Sequence, residues 1–126
     1  MMTFEKTVLV LEDEIIVAMD IGDELIDRGW HVTDVVGTLD AAMRAVAAAT
    51  PDLALLDVNL RGSQSFDLAL DLKARGTVVV FLSGNSVNDL PEALRGCAFI
   101  EKPVNYDALH SALLAAARPG GTAAAG

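Results

Sequence analysis

Two stretches of this chain, Val8-Leu9-Val10-Leu11 and Leu53-Ala54-Leu55-Leu56, are apolar at every position, without the polar alternation of a strand that faces water on one side. Such runs suit strands buried on both faces, as parallel strands in α/β proteins are. Both stop abruptly at acids: Glu12, Asp13 and Glu14 follow the first, Asp57 the second. If the two strands are parallel and adjacent, their carboxyl ends open on one edge of the sheet, where open α/β folds place their ligand sites. Three acids then converge on one pocket.

The rest of the chain continues the alternation of strand-like and helix-period segments that marks repeated βα units around a parallel sheet. Five strands are expected, at Thr7 to Leu11, His31 to Val36, Leu53 to Leu56, Val78 to Leu82 and Ala98 to Ile100. Ile15, Ala18, Met19, Gly22 and Ile26 fall on a helical template, as do Leu39, Ala42, Met43 and Val46. In the last helix Tyr106, Leu109, Leu113 and Ala116 share a face, with Asn105 placed to cap its start. Leu68, Leu70 and Leu72 alternate and would also suit a strand, but Gly76, followed at once by Val78-Val79-Val80, favours a helix with a glycine C-cap. Asn85 to Asp89 reads as a mobile loop before a short helix from Leu90 to about Arg95.

A chain of 126 residues with 52% hydrophobic content fits one domain, expected over 1–118, with 119–126 (Pro119 to Gly126) as a disordered tail. A net charge of −9 argues against nucleic acid and anionic membrane surfaces, since binding to phosphates is carried mainly by Lys and Arg. Met1 to Lys6 does not resemble a signal peptide, and no apolar stretch approaches the roughly 20 residues that span a bilayer, so a cytoplasmic location is expected. The single cysteine, Cys97, excludes an internal disulfide and reads as a small core residue. His31 and His110 have no ligand-spaced neighbours and read as surface or edge residues.

Clustered carboxylates repel: two unit charges 4 Å apart cost about 4 kcal/mol at an effective dielectric near 20. A hard divalent cation is the usual answer, and Mg²⁺ in particular takes a few protein oxygens plus phosphate. Glu14 is better read as an acid at a helix start, favoured by the macrodipole. Ser83-Gly84 follows the fourth strand and Lys102-Pro103 the fifth. Each pair is weak evidence alone. Together with the acids they make a metal cradle, a carboxylate nucleophile, a hydroxyl donor and a cation, the set that stabilises a phosphoryl group in transfer.

In this order and on these elements the constellation resembles the receiver domain of bacterial two-component response regulators, over roughly Thr7 to Ala117. The resemblance implies a flavodoxin-like, doubly wound (βα)5 fold with a five-stranded parallel sheet in the order 2-1-3-4-5. It implies Asp57 as phosphoacceptor, and Mg²⁺ held by Glu12, Asp13, Asp57 and the backbone carbonyl of Asn59. Ser83, Gly84 and Lys102 would bind the phosphoryl oxygens. Ser83 and Phe99 would form the switch, although Phe99 equally suits the core of an edge strand, and the Lys102-Pro103 bond would be cis. Glu12 stands in place of the commoner Asp, Ser83 in place of Thr, and Gly84 where many relatives carry Ala, leaving the phosphoryl group more open to water or a partner. Phe81-Leu82-Ser83-Gly84 is also similar to the Phe-Ala-Thr-Gly motif of the single-domain subgroup called FAT GUY, whose members tend to lack the aromatic that Phe99 supplies here.

The function implied is that of a stand-alone phosphoacceptor, not a turnover enzyme. Its phosphodonor would be a sensor histidine kinase or histidine phosphotransfer protein, and its output would pass through a downstream protein, or it would serve as a phosphate shuttle or sink. A monomer or a phosphorylation-linked homodimer is expected, with no room for an output domain after the last helix. The alternative is a pseudo-receiver, an interaction module that is never phosphorylated. A dinucleotide-binding or flavin-binding protein is disfavoured because the glycine-rich turn after the first strand is missing, and Asp57-Val58-Asn59 lacks the second acid of the Asp-x-Asp phosphatases.

Overall fold

The computed structural model of the chain describes residues 6–60, 62–84 and 90–117. The expected loop at Asn85 to Asp89 and the expected tail lie outside these. Five parallel strands form one sheet: β1 (Thr7–Leu11), β2 (His31–Val36), β3 (Leu53–Asp57), β4 (Val78–Ser83) and β5 (Ala98–Glu101), in the order β2-β1-β3-β4-β5. The helices are α1 (Ile15–Asp27), α2 (Leu39–Ala48), α3 (Phe66–Ala74) and α4 (Tyr106–Ala116). This is the flavodoxin-like topology. A two-residue antiparallel ladder pairs Asn59–Leu60 with Ser63–Gln64 just past β3.

The inner strands are apolar throughout because alternate side chains feed two cores. Leu9, Leu11, Ala54, Leu56, Val79 and Phe81 face one layer, packed with residues of α2 and α3. Val8, Val10, Leu53, Leu55, Val80 and Leu82 face the other, packed with α1, α4 and Trp30. The segment with alternating leucines is helical, with Leu68, Ala69 and Leu72 buried and Leu70 exposed. Its end is a Schellman motif: Gly76 has φ of 90°, its N–H donates to the Lys73 carbonyl, and the Thr77 N–H donates to that of Leu72.

Three local expectations need correction. In α1 the buried face is Ala18, Ile21, Gly22 and Leu25, while Ile15, Met19 and Ile26 are exposed. Asp20, Asp23, Glu24 and Asp27 form a polar stripe at i, i+3, i+4, i+7 on the opposite side, so the expected face lies one flank away from the one that the acids leave apolar. In α2, Ala42 and Val46 are buried but Met43 is exposed. The short helix expected from Leu90 to about Arg95 is a 3₁₀ turn, Glu92–Leu94, in which the Leu94 N–H donates to the Pro91 carbonyl and the Arg95 N–H to that of Glu92; Leu90 and Leu94 are buried and the Arg95 Nε–H donates to the Leu90 carbonyl. Cys97 is buried in the α2/α3 layer, and burial pushes its thiol pKa up. Among the described residues, no helix is long and apolar enough to cross a membrane.

Candidate functional site

Register sets the site. Leu11 lies opposite Leu56, so Glu12 and Asp57 leave the sheet side by side; Asp57 pairs with Leu82, and Ser83 with Glu101. The Lys102 N–H then donates to the Ser83 carbonyl at 2.9 Å, tying the cation's backbone to the hydroxyl residue. Glu12, Asp57, Ser83 and Lys102 thus gather at one edge within about one residue of the same level. The Lys102-Pro103 bond is cis.

Glu12, Asp57 and Ser83 are buried, and Asp13 and Lys102 are half-buried. Lys102 Nζ donates to Asp57 Oδ2 at 2.9 Å and lies 2.8 Å from Glu12 Oε2. The second contact has ion-pair distance without hydrogen-bond direction, which leaves Oε2 a buried oxygen with no directed donor. Glu12 Oε1 accepts from the Glu14 N–H at 3.1 Å, so Glu14, the N-cap of α1, contributes its backbone rather than its charge.

Burial drives the pKa values of both Glu12 and Asp57 above the ordinary carboxylate range, partly countered by Lys102. Burial alone would lower that of Lys102, but its close pairing with the Glu12 and Asp57 carboxylates outweighs it and raises the net value. Among the described residues, the Lys102 ammonium is shared by Glu12 and Asp57. Glu12, Asp13 and Asp57 each offer an oxygen within 4.8 Å of the others. Hard oxygens at that spacing, one of them lacking a directed donor, fit a hard divalent cation.

Asn59 is exposed on the short ladder next to β3. Among the described residues, nothing lies within 4 Å of where a Cβ on Gly84 would sit. Phe99 is half-buried on β5, opposite Phe81, and packs against the α2/α3 core. The histidines lie away from this edge: His31 is exposed on β2, while His110 Nδ1 accepts from the Trp30 Nε1–H at 2.9 Å. One residue at the site escapes sequence reasoning. Ser65 is fully buried and its Oγ donates to the Asp57 carbonyl at 2.7 Å. A serine just before a helical segment reads as an ordinary cap, so no pattern singles it out.

Residues 8–114 match the family described as the response regulator receiver domain. The transcriptional regulatory protein PdtaR of Mycobacterium tuberculosis is 28% identical over 112 residues, 86% of this chain and 55% of the relative. The two-component response regulator PhoP of Pseudomonas aeruginosa is 29% identical over 115 residues, 87% of this chain and 51% of the relative. The chain thus spans about half the length of these relatives. The solution structure of SdrG from Sphingomonas melonis Fr1 is 33% identical, with a TM-score of 0.75 over 86% of this chain and 93% of SdrG. Its BeF3-activated conformation matches with a TM-score of 0.74. With the family match running from β1 into α4 and the acids at the carboxyl edge of the same sheet, the chain belongs to the response regulator receiver family.

Proposed function

We propose that Asp57 accepts a phosphoryl group from a phosphohistidine on a partner protein, in a reaction that requires Mg²⁺. The observation that carries this reading is the Lys102 ammonium set between Asp57 and Glu12, at 2.9 and 2.8 Å, at the open edge of the sheet. An Asp57 carboxylate oxygen attacks phosphorus, the P–N bond breaks, and its electron pair stays on the partner's imidazole, leaving an acyl phosphate on Asp57. Glu12, Asp13, Asp57 and the Asn59 carbonyl are the groups that would hold the cation. When bound, a divalent ion neutralises charge on the oxygens in transit.

Lys102 starts from its bond to Asp57 and follows the transferred oxygens, with the Ser83 hydroxyl and the Gly84 backbone binding the others. Water later attacks phosphorus and releases phosphate, and the lack of a side chain at Gly84 leaves it more room than Ala would. The charge placed on Asp57 draws Ser83 and Lys102 inward, and Phe99 on the adjoining strand carries the change to the surface. Ile15 and Ile16, 72% and 80% exposed, and Met19 lie on α1 just past the acids and supply an apolar landing for a protein partner.

The test is incubation with Mg²⁺ and acetyl phosphate, read by intact mass. One added phosphoryl group is expected, absent in Asp57→Ala and absent when the metal is chelated. Wild-type protein that stays unmodified with acetyl phosphate and with a phosphohistidine donor protein would sink this reading in favour of an unphosphorylated interaction module.

A further inference from the structure

Ser65 holds the N-cap position of α3, yet its side chain caps nothing. A serine there ordinarily accepts a hydrogen bond from an N–H of the first helical turn. Instead the fully buried Oγ points back to the strand and donates to the Asp57 carbonyl at 2.7 Å, while the Ser65 N–H donates to the Val58 carbonyl at 3.2 Å. From the other side, the Val58 N–H donates to the Leu82 carbonyl at 2.9 Å. The peptide unit joining Asp57 to Val58 is therefore held at both its carbonyl and its N–H, and the next unit is held at its carbonyl. These are the two units between the Asp57 side chain and Asn59.

We propose that Ser65 is a positioning residue: by anchoring the Asp57–Val58 peptide it sets the Asp57 carboxylate against Glu12 and Lys102 and fixes the course of the chain to the Asn59 carbonyl. The inference rests on the phosphoacceptor reading above. Rotation of this peptide changes the backbone angle at Asp57 and carries Asn59 with it, so loosening one hydroxyl disturbs two groups assigned to the cation. The hydroxyl supports a geometry that the helix cap alone does not require.

A matched comparison lies at the opposite end of the same strand. Thr77 is also buried, and its Oγ1 donates to the Pro51 carbonyl at 2.7 Å, just before β3 begins. Its loss removes a like bond from the fold but touches no site residue. Ser65→Ala and Thr77→Val are compared with wild type for melting temperature, for Mg²⁺ affinity by titration of backbone amide resonances, and for the rate of modification by acetyl phosphate.

Both variants are expected to melt at lower temperature. Only Ser65→Ala is expected to weaken Mg²⁺ binding, by fivefold or more, and to slow phosphorylation at sub-saturating Mg²⁺ to match. Ser65→Ala with Mg²⁺ affinity and rate within twofold of wild type overturns the inference, as does an equal loss in Thr77→Val. A wild type that binds Mg²⁺ but takes up no phosphoryl group overturns the phosphoacceptor reading, while the Mg²⁺ affinities still decide on Ser65. A wild type that does not bind Mg²⁺ overturns both.

Discussion

Asp57 is held in a place that disfavours its charge. Like charges within 4.8 Å of one another repel by roughly 3 to 4 kcal/mol per pair at an effective dielectric near 20, and among the described residues Lys102 pairs with two of the three acids, Glu12 and Asp57. A raised carboxyl pKa states the same fact: the charged form is less stable in the fold than in the unfolded chain. Asp57→Asn should therefore stabilise the metal-free protein at neutral pH, raising the urea midpoint in EDTA above that of the wild type. The sign with pH follows. Below the unfolded value, near 3.8, Asp57 is protonated in both states and the advantage vanishes; it grows as pH rises through the folded value. Saturating Mg²⁺ should shrink the difference, because only the wild type keeps the full set of acids. A destabilised Asp57→Asn in EDTA would mean that the Lys102 pairing outweighs the repulsion.

At the scale of elements, the four α-helices among the described residues divide by how they begin. Thr38 Oγ1 accepts from the Ala41 N–H at 3.1 Å and Asn105 Oδ1 from the Ala108 N–H at 3.0 Å, so α2 and α4 are capped by side chains. The starts of α1 and α3, at Glu14 and Ser65, have no side-chain cap; both meet the site, one through the Glu14 N–H on Glu12, the other through the Ser65 hydroxyl on Asp57. Thr38→Ala and Asn105→Ala should each lower stability by about 1 kcal/mol without changing phosphorylation by acetyl phosphate. Glu14→Ala should stay within about 0.5 kcal/mol, as expected for a surface side chain without a special role. Denaturant midpoints at constant m-value check all three.

The whole molecule is two cores sharing one sheet. Each inner strand sends neighbouring side chains to opposite layers, so neither layer can lose its packing while the strands persist. On one face α1 and α4 are also linked by polar contacts: Arg28 to Asp107 at 3.0 Å, Trp30 to His110, and the Tyr106 hydroxyl to Asp20, where burial and the carboxylate keep the phenol protonated. Unfolding should be a single transition, with Trp30 fluorescence, which reports the α1/α4 layer, tracking far-UV circular dichroism. Because the cation site joins β1 to β3, Mg²⁺ at 100 times its dissociation constant should raise the stability of the entire domain by about 2.7 kcal/mol. Two separated transitions would show that the layers unfold independently.

Where the hydrophobic pattern is unambiguous, the amino-acid order already determines the outcome. The unbroken runs at Val8 to Leu11 and Leu53 to Leu56 suit strands buried on both faces, which they are, and their acidic ends place Glu12, Asp13 and Asp57 together once the sheet is parallel. Gly76 and Asn105 mark helix ends because each residue type satisfies a local backbone need. What required the tertiary structure was every choice among near-equal local options. Ile15 and Met19 are as apolar as Ile21 and Leu25 and lie on the flank of the same apolar arc, opposite Asp20, Asp23, Glu24 and Asp27; the sheet decides how far burial reaches along that arc. Ser65 could cap its own helix or bond the neighbouring strand with the same hydroxyl, and it bonds Asp57 because the return of the loop brings that carbonyl within 2.7 Å. Local chemistry is written residue by residue, whereas a choice of partner is settled only when distant segments meet.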